Sequence, residues 1–405
     1  MANIRIGLAF SDTGGGHRSA MDAVQSALLE VGANEFRDDR VEIIAESVAE
    51  KTHPINRAFV DFYNYLLRGN NQRWMQYYYS FIQATRPNDS AFGYAISGPY
   101  FRRWLREIEA DVIVSVHPMV NQYFVKALRD NGMMGKVKFF VVVTDPNGEL
   151  WRGWACPEAD LTIVPNELGK ATLVSYGVPP ERIKVIGMPV HPDFIKPPSL
   201  GKDEFREPLG LSKDRLTICI NSGWAGGGNM LQIYEQLSKV RRQVQCIFLC
   251  GHNTALYERA KAEARKSSIP TAVLPFHDRI SDLMSAVDLM VTKAGGLTTF
   301  ESIARKLPMA FDMITKPMPQ EEGTAEIVIN QGLARPVTRP SDIIEIVEQL
   351  QPAEDRSTVK LPNAYCLDRV DAVYDIARTV LHSVRPTVKS THEQVPSQAE
   401  PGNRP

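Results

Sequence analysis

Short, mainly apolar runs punctuate the chain at 4–10, 41–45, 112–116, 138–144, 161–165 and 183–186, and again at 216–221, 245–250, 272–274, 289–292 and 309–311. Between them apolar positions recur at helical spacing, so each run is followed by a segment with one face to bury. A strand that is apolar throughout, and does not alternate, is covered on both sides. Such strands alternating with helices predict parallel sheets between helical layers. A proline-rich stretch separates the two series. The pattern therefore predicts an α/β chain with two Rossmann-like domains facing a cleft: residues 1–190, a linker at 191–210, and residues 211–366. A closing helix is expected at 367–384. The polar, proline-rich 385–405 is expected to be disordered.

Composition narrows this picture. The chain has 405 residues, too many for one ordinary core. It is 43% apolar and 23% charged, with a net charge of −1, which gives no overall bias toward nucleic acid. The five cysteines form no Cys-x-x-Cys pair, and Cys246 and Cys250 fall in an apolar run that reads as core. The N-terminus lacks a signal-peptide pattern, and no apolar stretch approaches the roughly 20 residues that cross a bilayer. A cytoplasmic protein is expected, with attachment to a membrane surface left open.

The candidate chemistry sits in glycine-rich turns that follow the apolar runs. The first is SDTGGGHRSAMDAV, residues 11–24. Glycines let a backbone approach a ligand closely, and the start of a helix offers free N–H groups to an anion. His17 stands where a bound group would react, or else packs at the helix start. Asp12 either orients it or caps the turn. The second turn is VTKAGGLTTFESIARKLP, residues 291–308. Gly295 and Gly296 open a helix whose Thr298 adds donors for a diphosphate. Glu301, one turn in, can accept ribose hydroxyls. Three further segments belong with it: NSGWAGGGNM (221–230), a loop carrying Phe276, and KPMPQEEGTAE (316–326) with Gln320 and Glu321. All lie at strand C-termini, where open α/β sheets bind ligands. Read singly, each is also an ordinary tight turn.

Taken together, SDTGGGH, SVHP, VVTD-x-N, NSG-x-x-GGG, TKAGG-x-T-x-x-E and PMPQEEG resemble the diacylglycerol glycosyltransferases. These include monogalactosyldiacylglycerol synthase and the bacterial processive diacylglycerol glucosyltransferases. The chain is more distantly similar to the N-acetylglucosaminyltransferase that makes the peptidoglycan lipid intermediate. The resemblance runs from Ile4 to about Val384. It implies a glycosyltransferase B fold, a lipid acceptor in the N-terminal half and a UDP-sugar donor in the C-terminal half. The uridine is then expected near Phe276. The diphosphate falls to Gly295, Gly296 and Thr298, helped by Gly223, Gly226 and Gly227 and approached by Gly15 and Gly16. The ribose falls to Glu301, and the sugar hydroxyls to Gln320 and Glu321. His17 becomes the general base, its ordinary pKa of about 6.5 suiting that task. Asp145 is the second catalytic candidate. His117 and Asn147 are acceptor candidates, although Asp145–Pro146–Asn147 is equally good turn chemistry. Galactose and glucose both remain open as the sugar.

No Asp-x-Asp occurs, so neither a metal nor another cofactor is expected, the UDP-sugar being a substrate. The helix N-terminus would stabilise the leaving diphosphate instead. Residues 51–106 interleave many aromatic rings with basic side chains, among them Arg68, Arg73 and Trp74. That mixture suits an anionic membrane surface, or a helical subdomain with a solvated basic rim. No nucleic-acid motif accompanies it. The expected activity is an inverting hexosyl transfer from a UDP-sugar to diacylglycerol or a related lipid by a peripheral membrane protein. The alternatives are a UDP-sugar epimerase of the same fold and a non-catalytic sugar-nucleotide sensor. A P-loop and a G-x-G-x-x-G fingerprint are both absent.

Overall fold

The computed structural model describes residues 3–68, 72–351 and 356–384, apart from the side chains of Leu67, Arg68, Gln72, Arg73, Gln76, Tyr79, Gln83, Pro319, Gln320 and Ser357. The tail expected to be disordered at 385–405, and the side chains of Arg68, Arg73 and Gln320, lie outside the described residues.

Two six-stranded parallel sheets organise the chain. The first is built from β1 (Asn3–Phe10), β2 (Arg40–Ser47), β3 (Val112–Ser115), β4 (Lys138–Val142), β5 (Leu161–Val164) and β6 (Ile183–Val185), in the order β2-β1-β3-β4-β5-β6. The second holds β7 (Leu216–Asn221), β8 (Val244–Leu249), β9 (Thr271–Leu274), β10 (Leu289–Thr292), β11 (Met309–Asp312) and β12 (Ala334–Val337), in the order β12-β11-β10-β7-β8-β9. β3, β7, β8, β10 and β11 are buried along their whole length. Their unbroken apolar character follows from helices covering both faces.

Each sheet reverses direction once, and the reversals place the site. In the first sheet the chain leaves β1 for β2 on one side and later returns to β3 on the other. In the second it runs outward from β7 through β8 to β9, then resumes at β10 on the opposite flank. The crevices outside β1/β3 and β7/β10 are where open α/β sheets bind ligands. The glycine turns after β1, β7 and β10 stand at those two switch points.

The periodicity missed one strand. β12 is short, carries Pro336 and has two exposed central residues, so it lacks the apolar signature of its neighbours. It survives because it is an edge strand, where a residue without an N–H is tolerated. The closing helix also begins later than expected, at Ala372. Ahead of it a short 3-10 turn, Ala364–Cys366, places Tyr365 and Cys366 at positive φ, and the chain runs on through turns to Asp371. That helix, Ala372–Val384, packs back onto α1 (Gly16–Glu35) of the first half. Ala372, Val373, Ile376, Ala377, Val380 and Leu381 are all buried. At its rim Tyr374 donates to Glu30 at 3.0 Å, and Arg378 donates to Glu35 at 2.7 and 2.9 Å.

Between β2 and β3 the crossover is made of four helices: α2 (Val48–Thr52), α3 (Pro54–Arg68), α4 (Gln72–Thr85) and α5 (Ala91–Ile108). Their aromatic residues divide sharply. Phe101 and Trp104 are buried in the core under β1 and β3, whereas Phe59, Phe62, Tyr65, Trp74, Tyr77, Phe81 and Phe92 are exposed. Among the described residues no helix is long and apolar enough to cross a membrane.

Candidate active site

Two cavities meet at the turn between β1 and α1. The smaller, about 240 Å³, is apolar. Phe59, Tyr63, Phe81, Ile82, Phe101 and Trp151 form much of its wall, with Thr13, His17, His117 and Asp145 at its polar end. The larger, about 660 Å³, is the more polar of the two and lies between the halves. Its volume is within the roughly 300–1,000 Å³ usual for small-molecule sites. Gly14, Gly15 and Gly16 line it from one side; Gly223, Phe276, Gly295, Gly296, Thr298, Glu301 and Glu321 line it from the other. His17 belongs to the first cavity and its preceding glycines to the second, so one turn of chain separates them.

Three glycines explain how the halves come so close. Gly15 has φ +82°, and a Cβ there would fall 2.7 Å from Cβ and Cγ of Trp224. A Cβ on Gly296 would lie 3.0 Å from the Thr144 carbonyl oxygen, and one on Gly323 would lie 3.0 Å from Asn147 Cβ. Backbone of each half therefore touches side chain or backbone of the other. A Cβ on Gly16 or Gly295, by contrast, would have nothing within 4 Å, and both residues face open cavity. Gly15 and Gly295 are the N-cap residues of their helices and supply no side-chain cap. Two helix N-termini, one from each half, thus offer uncapped N–H groups to the same space, which favours an anion.

The polar end of the apolar cavity is hydrogen-bonded in a fixed sense. His17 Nδ1 lies 2.8 Å from the Val116 carbonyl oxygen, and its ring meets that of His117 edge-on at 4.3 Å. The Met119 N–H donates to Nδ1 of His117, so His117 Nε2 carries its proton and donates to the Thr13 hydroxyl at 3.0 Å. Asp145 accepts from Trp154 Nε1 at 2.6 Å. Burial pushes the His17 pKa below its ordinary 6.5, against the opposing pull of the Asp145 charge and the Val116 carbonyl. Burial likewise raises the Asp145 carboxyl, opposed by His17 and the Trp154 N–H. His117 is driven well down by burial and by His17. Desolvation therefore favours the neutral form of both imidazoles, the form a base needs before it acts.

Other residues fall differently. Asp12 does not reach His17; it forms a two-pronged pair with Arg18 at 2.6 and 2.5 Å. Gly226 and Gly227 lie outside the cavity wall. A Cβ on Gly226 would meet the Cys250 carbonyl at 2.2 Å, so its glycine serves the packing of two loops. Asn147 is buried against Gly323, accepts from the Glu149 N–H and lines neither cavity. His117 lines the apolar cavity. Phe276 is stacked on His252, with ring centres 4.4 Å apart, and His252 in turn meets the Trp224 ring. Trp74 is exposed on α4.

In the polar cavity, burial raises the Glu301 carboxyl to about 7 and raises that of Glu321, which the Lys293 charge opposes. Lys293 also lines this wall, as do Trp224 and Ser222. Sequence reasoning passed over these three. Lys293 and Trp224 stand inside the two glycine motifs, where a cation and a large ring among small residues are the signal available. Among the described residues no cluster of three or more metal-binding side chains occurs.

Comparison with known proteins adds to this geometry. Residues 17–190 match the model of the monogalactosyldiacylglycerol (MGDG) synthase family, and residues 229–326 match that of the glycosyltransferase family 28 C-terminal domain. The chain is 29% identical over 388 residues to the probable monogalactosyldiacylglycerol synthase of Nicotiana tabacum, covering 93% of this chain and 70% of that protein. It is 29% identical over 398 residues to the chloroplastic monogalactosyldiacylglycerol synthase of Spinacia oleracea, covering 94% and 73%. Among solved structures it is similar in fold to Anabaena Alr3699/HepE in complex with UDP and glucose, with a TM-score of 0.51, 13% identity, and 93% and 95% of the two chains covered.

Proposed function

We propose that this chain, which belongs to the diacylglycerol glycosyltransferase family of the monogalactosyldiacylglycerol synthases, transfers a hexose from a UDP-sugar to diacylglycerol at a membrane surface. Galactose is the sugar its relatives' names carry. The observation that supports the site most strongly is the meeting of an apolar and a polar cavity at one turn, with His17 in the first and Gly14–Gly16 in the second.

In this reading the acyl chains occupy the aromatic-walled cavity, and the free hydroxyl reaches its polar end. His17 Nε2 takes the hydroxyl proton as the oxygen bonds to the anomeric carbon. The bond from that carbon to the diphosphate breaks on the opposite side, so configuration inverts. The Asp145 charge favours the imidazolium that forms, as a buried carboxylate beside a catalytic histidine does. Charge gathering on the leaving diphosphate meets the N-termini of α1 and of the helix Gly296–Ala304, with Thr298 and Lys293 beside them. No metal is needed for this role. Glu301 accepts the ribose hydroxyls, and Glu321 serves the sugar. The membrane face is the exposed aromatic set of α3, α4 and α5, in a segment (51–106) with eight Lys or Arg against two Asp and no Glu. Aromatic rings favour the interface and basic side chains favour anionic headgroups.

An epimerase acting on a soluble nucleotide sugar has no use for an apolar cavity beside the base, nor for that face. The direct test is to incubate the protein with diacylglycerol vesicles and either labelled UDP-galactose or UDP-glucose, with and without a chelator, and to resolve the lipids. Labelled glycolipid, unaffected by the chelator, is expected. A labelled nucleotide-sugar epimer and no glycolipid would refute the transferase.

A further inference from the structure

We infer that Asn64 is a positioning residue that couples the membrane-facing helix α3 to the turn carrying the base, so that docking on a lipid surface sets the geometry of His17. The inference rests on the lipid-transferase reading above.

Asn64 lies on α3, fifty residues from Gly14 in the turn, and is only 8% exposed. Its two amide ends both engage that turn. The side-chain oxygen accepts from the Gly14 N–H at 3.0 Å, and the side-chain NH2 donates to the Asp12 carbonyl at 2.9 Å. A carboxamide accepts and donates through two separate atoms, so one side chain holds two backbone groups at once, and the network fits one orientation of it. Below, Glu50 of α2 accepts from the Ser11 hydroxyl and the Asp12 N–H, both at 2.6 Å. Residues 11–14 therefore hang from α2 and α3, and not from the sheet alone.

What makes this a coupling and not merely a support is the register of α3. Tyr63 lines the apolar cavity, Asn64 holds the turn, and Tyr65 is 64% exposed. One residue further each way along the same helix, Phe62 is exposed and Leu66 is buried. Three consecutive side chains thus touch the acceptor space, the catalytic turn and the surroundings. Gly14, which Asn64 holds, lines the donor cavity, and Thr13, its neighbour, holds His117 against His17. A lipid surface that buries Ile55, Phe62 and Tyr65 fixes the rotation and depth of α3. Because a single side chain transmits that position to two backbone groups, the turn follows.

The test compares wild type with Asn64→Ala and Asn64→Asp. Asp keeps the acceptor for the Gly14 N–H and loses the donor, so it decides the matter should the alanine variant fail to fold. Hydrogen exchange of the peptide spanning 11–17 is followed with and without vesicles of mixed neutral and anionic phospholipid, a readout independent of turnover. Vesicles are expected to slow exchange there in wild type and to leave it unchanged in both variants. Transfer is measured in parallel on diacylglycerol in vesicles and on a short-chain diacylglycerol below its aggregation concentration. Loss of one or two hydrogen bonds predicts a fall of roughly 5- to 30-fold on vesicles. The ratio of vesicle to monomeric activity is expected to move toward one. Equal losses on both acceptors, or vesicle-induced protection that persists in the variants, would show a local support only and overturn the coupling. A wild type that gains protection on vesicles but transfers no hexose would instead overturn the transferase reading and leave the coupling standing.

Discussion

His17 Nδ1 and the Val116 carbonyl oxygen stand 2.8 Å apart, joining the first turn of α1 to the end of β3. A carbonyl can only accept, so Nδ1 carries the ring proton and the lone pair of the neutral ring is on Nε2. The Thr144 hydroxyl, 3.3 Å from the same Nδ1, adds a second neighbour on that side. Backbone of the switch-point strand thus selects the tautomer. In the proposed mechanism Asp145 then acts through its charge.

That division of labour gives the first prediction. Asp145→Asn keeps an oxygen for Trp154 Nε1 and removes the charge that favours imidazolium. The His17 proton affinity should fall further, so the pH limb of kcat/KM moves to lower pH, and turnover drops on the order of 10²-fold. A limb that stays in place, measured from pH 4.5 to 9, would show that Asp145 is a turn residue.

Gly15 is fixed by a contact across the cleft. Gly15→Ala places a Cβ 2.7 Å from Trp224 at φ +82° and should destabilise the protein by about 1–3 kcal/mol while lowering turnover. Trp224→Gly in the same chain should recover the steric part and not the backbone part. Denaturant midpoints of the four proteins of the cycle check this; strictly additive losses would deny the contact.

Glu301 makes a prediction about pH. Its carboxyl is raised by burial to about 7. Between about pH 4.5 and about 7 the unfolded chain has released that proton and the folded chain has not, so the ligand-free protein loses stability as pH rises through that window. Glu301→Gln should remove a loss of about 3 kcal/mol, melting higher than wild type at pH 8 and alike at pH 4.5. It should also weaken UDP binding, by roughly 5- to 30-fold, because one acceptor oxygen becomes an NH2 donor and the other loses its charge. Calorimetry with UDP and melting curves at both pH values test the two claims on one preparation.

The proposed membrane face rests on exposed rings. Replacing Tyr65 and Trp74, both 64% exposed, with serine should lower sedimentation with anionic vesicles by about tenfold or more. UDP affinity should not change. Unaltered sedimentation would make α3 and α4 a structural subdomain.

Much of this was legible in the sequence because doubly covered strands announce themselves. Eleven of the twelve strands stood out as apolar runs, and the glycine turns marked both switch points. The fold escaped reading where local signals were weak, as at Pro336 in an edge strand. At the site, motif position told where a residue stands along the chain but not what it faces. Asp12 stands beside the glycine turn, yet the nearby Arg18 captures it. Asn147 shares a turn with Asp145, yet it points toward the other half and lines neither cavity. Gly226 belongs to a phosphate-like turn, yet its missing Cβ makes room for a neighbouring loop. Trp224 and Asn64 were invisible for the opposite reason: their meaning lies in partners far away along the chain.

The most direct test of the catalytic assignment is the pH–rate profile of His17→Ala beside wild type, with melting temperature and UDP affinity measured on the same preparations. Wild-type kcat/KM should rise with pH through a group titrating below the ordinary 6.5 of histidine, because burial lowers His17. In the variant that limb should vanish and turnover should fall on the order of 10²–10⁴-fold, with folding and UDP affinity retained. Near-normal turnover per folded molecule with the limb intact would contradict the assignment and move the base elsewhere in the cavity.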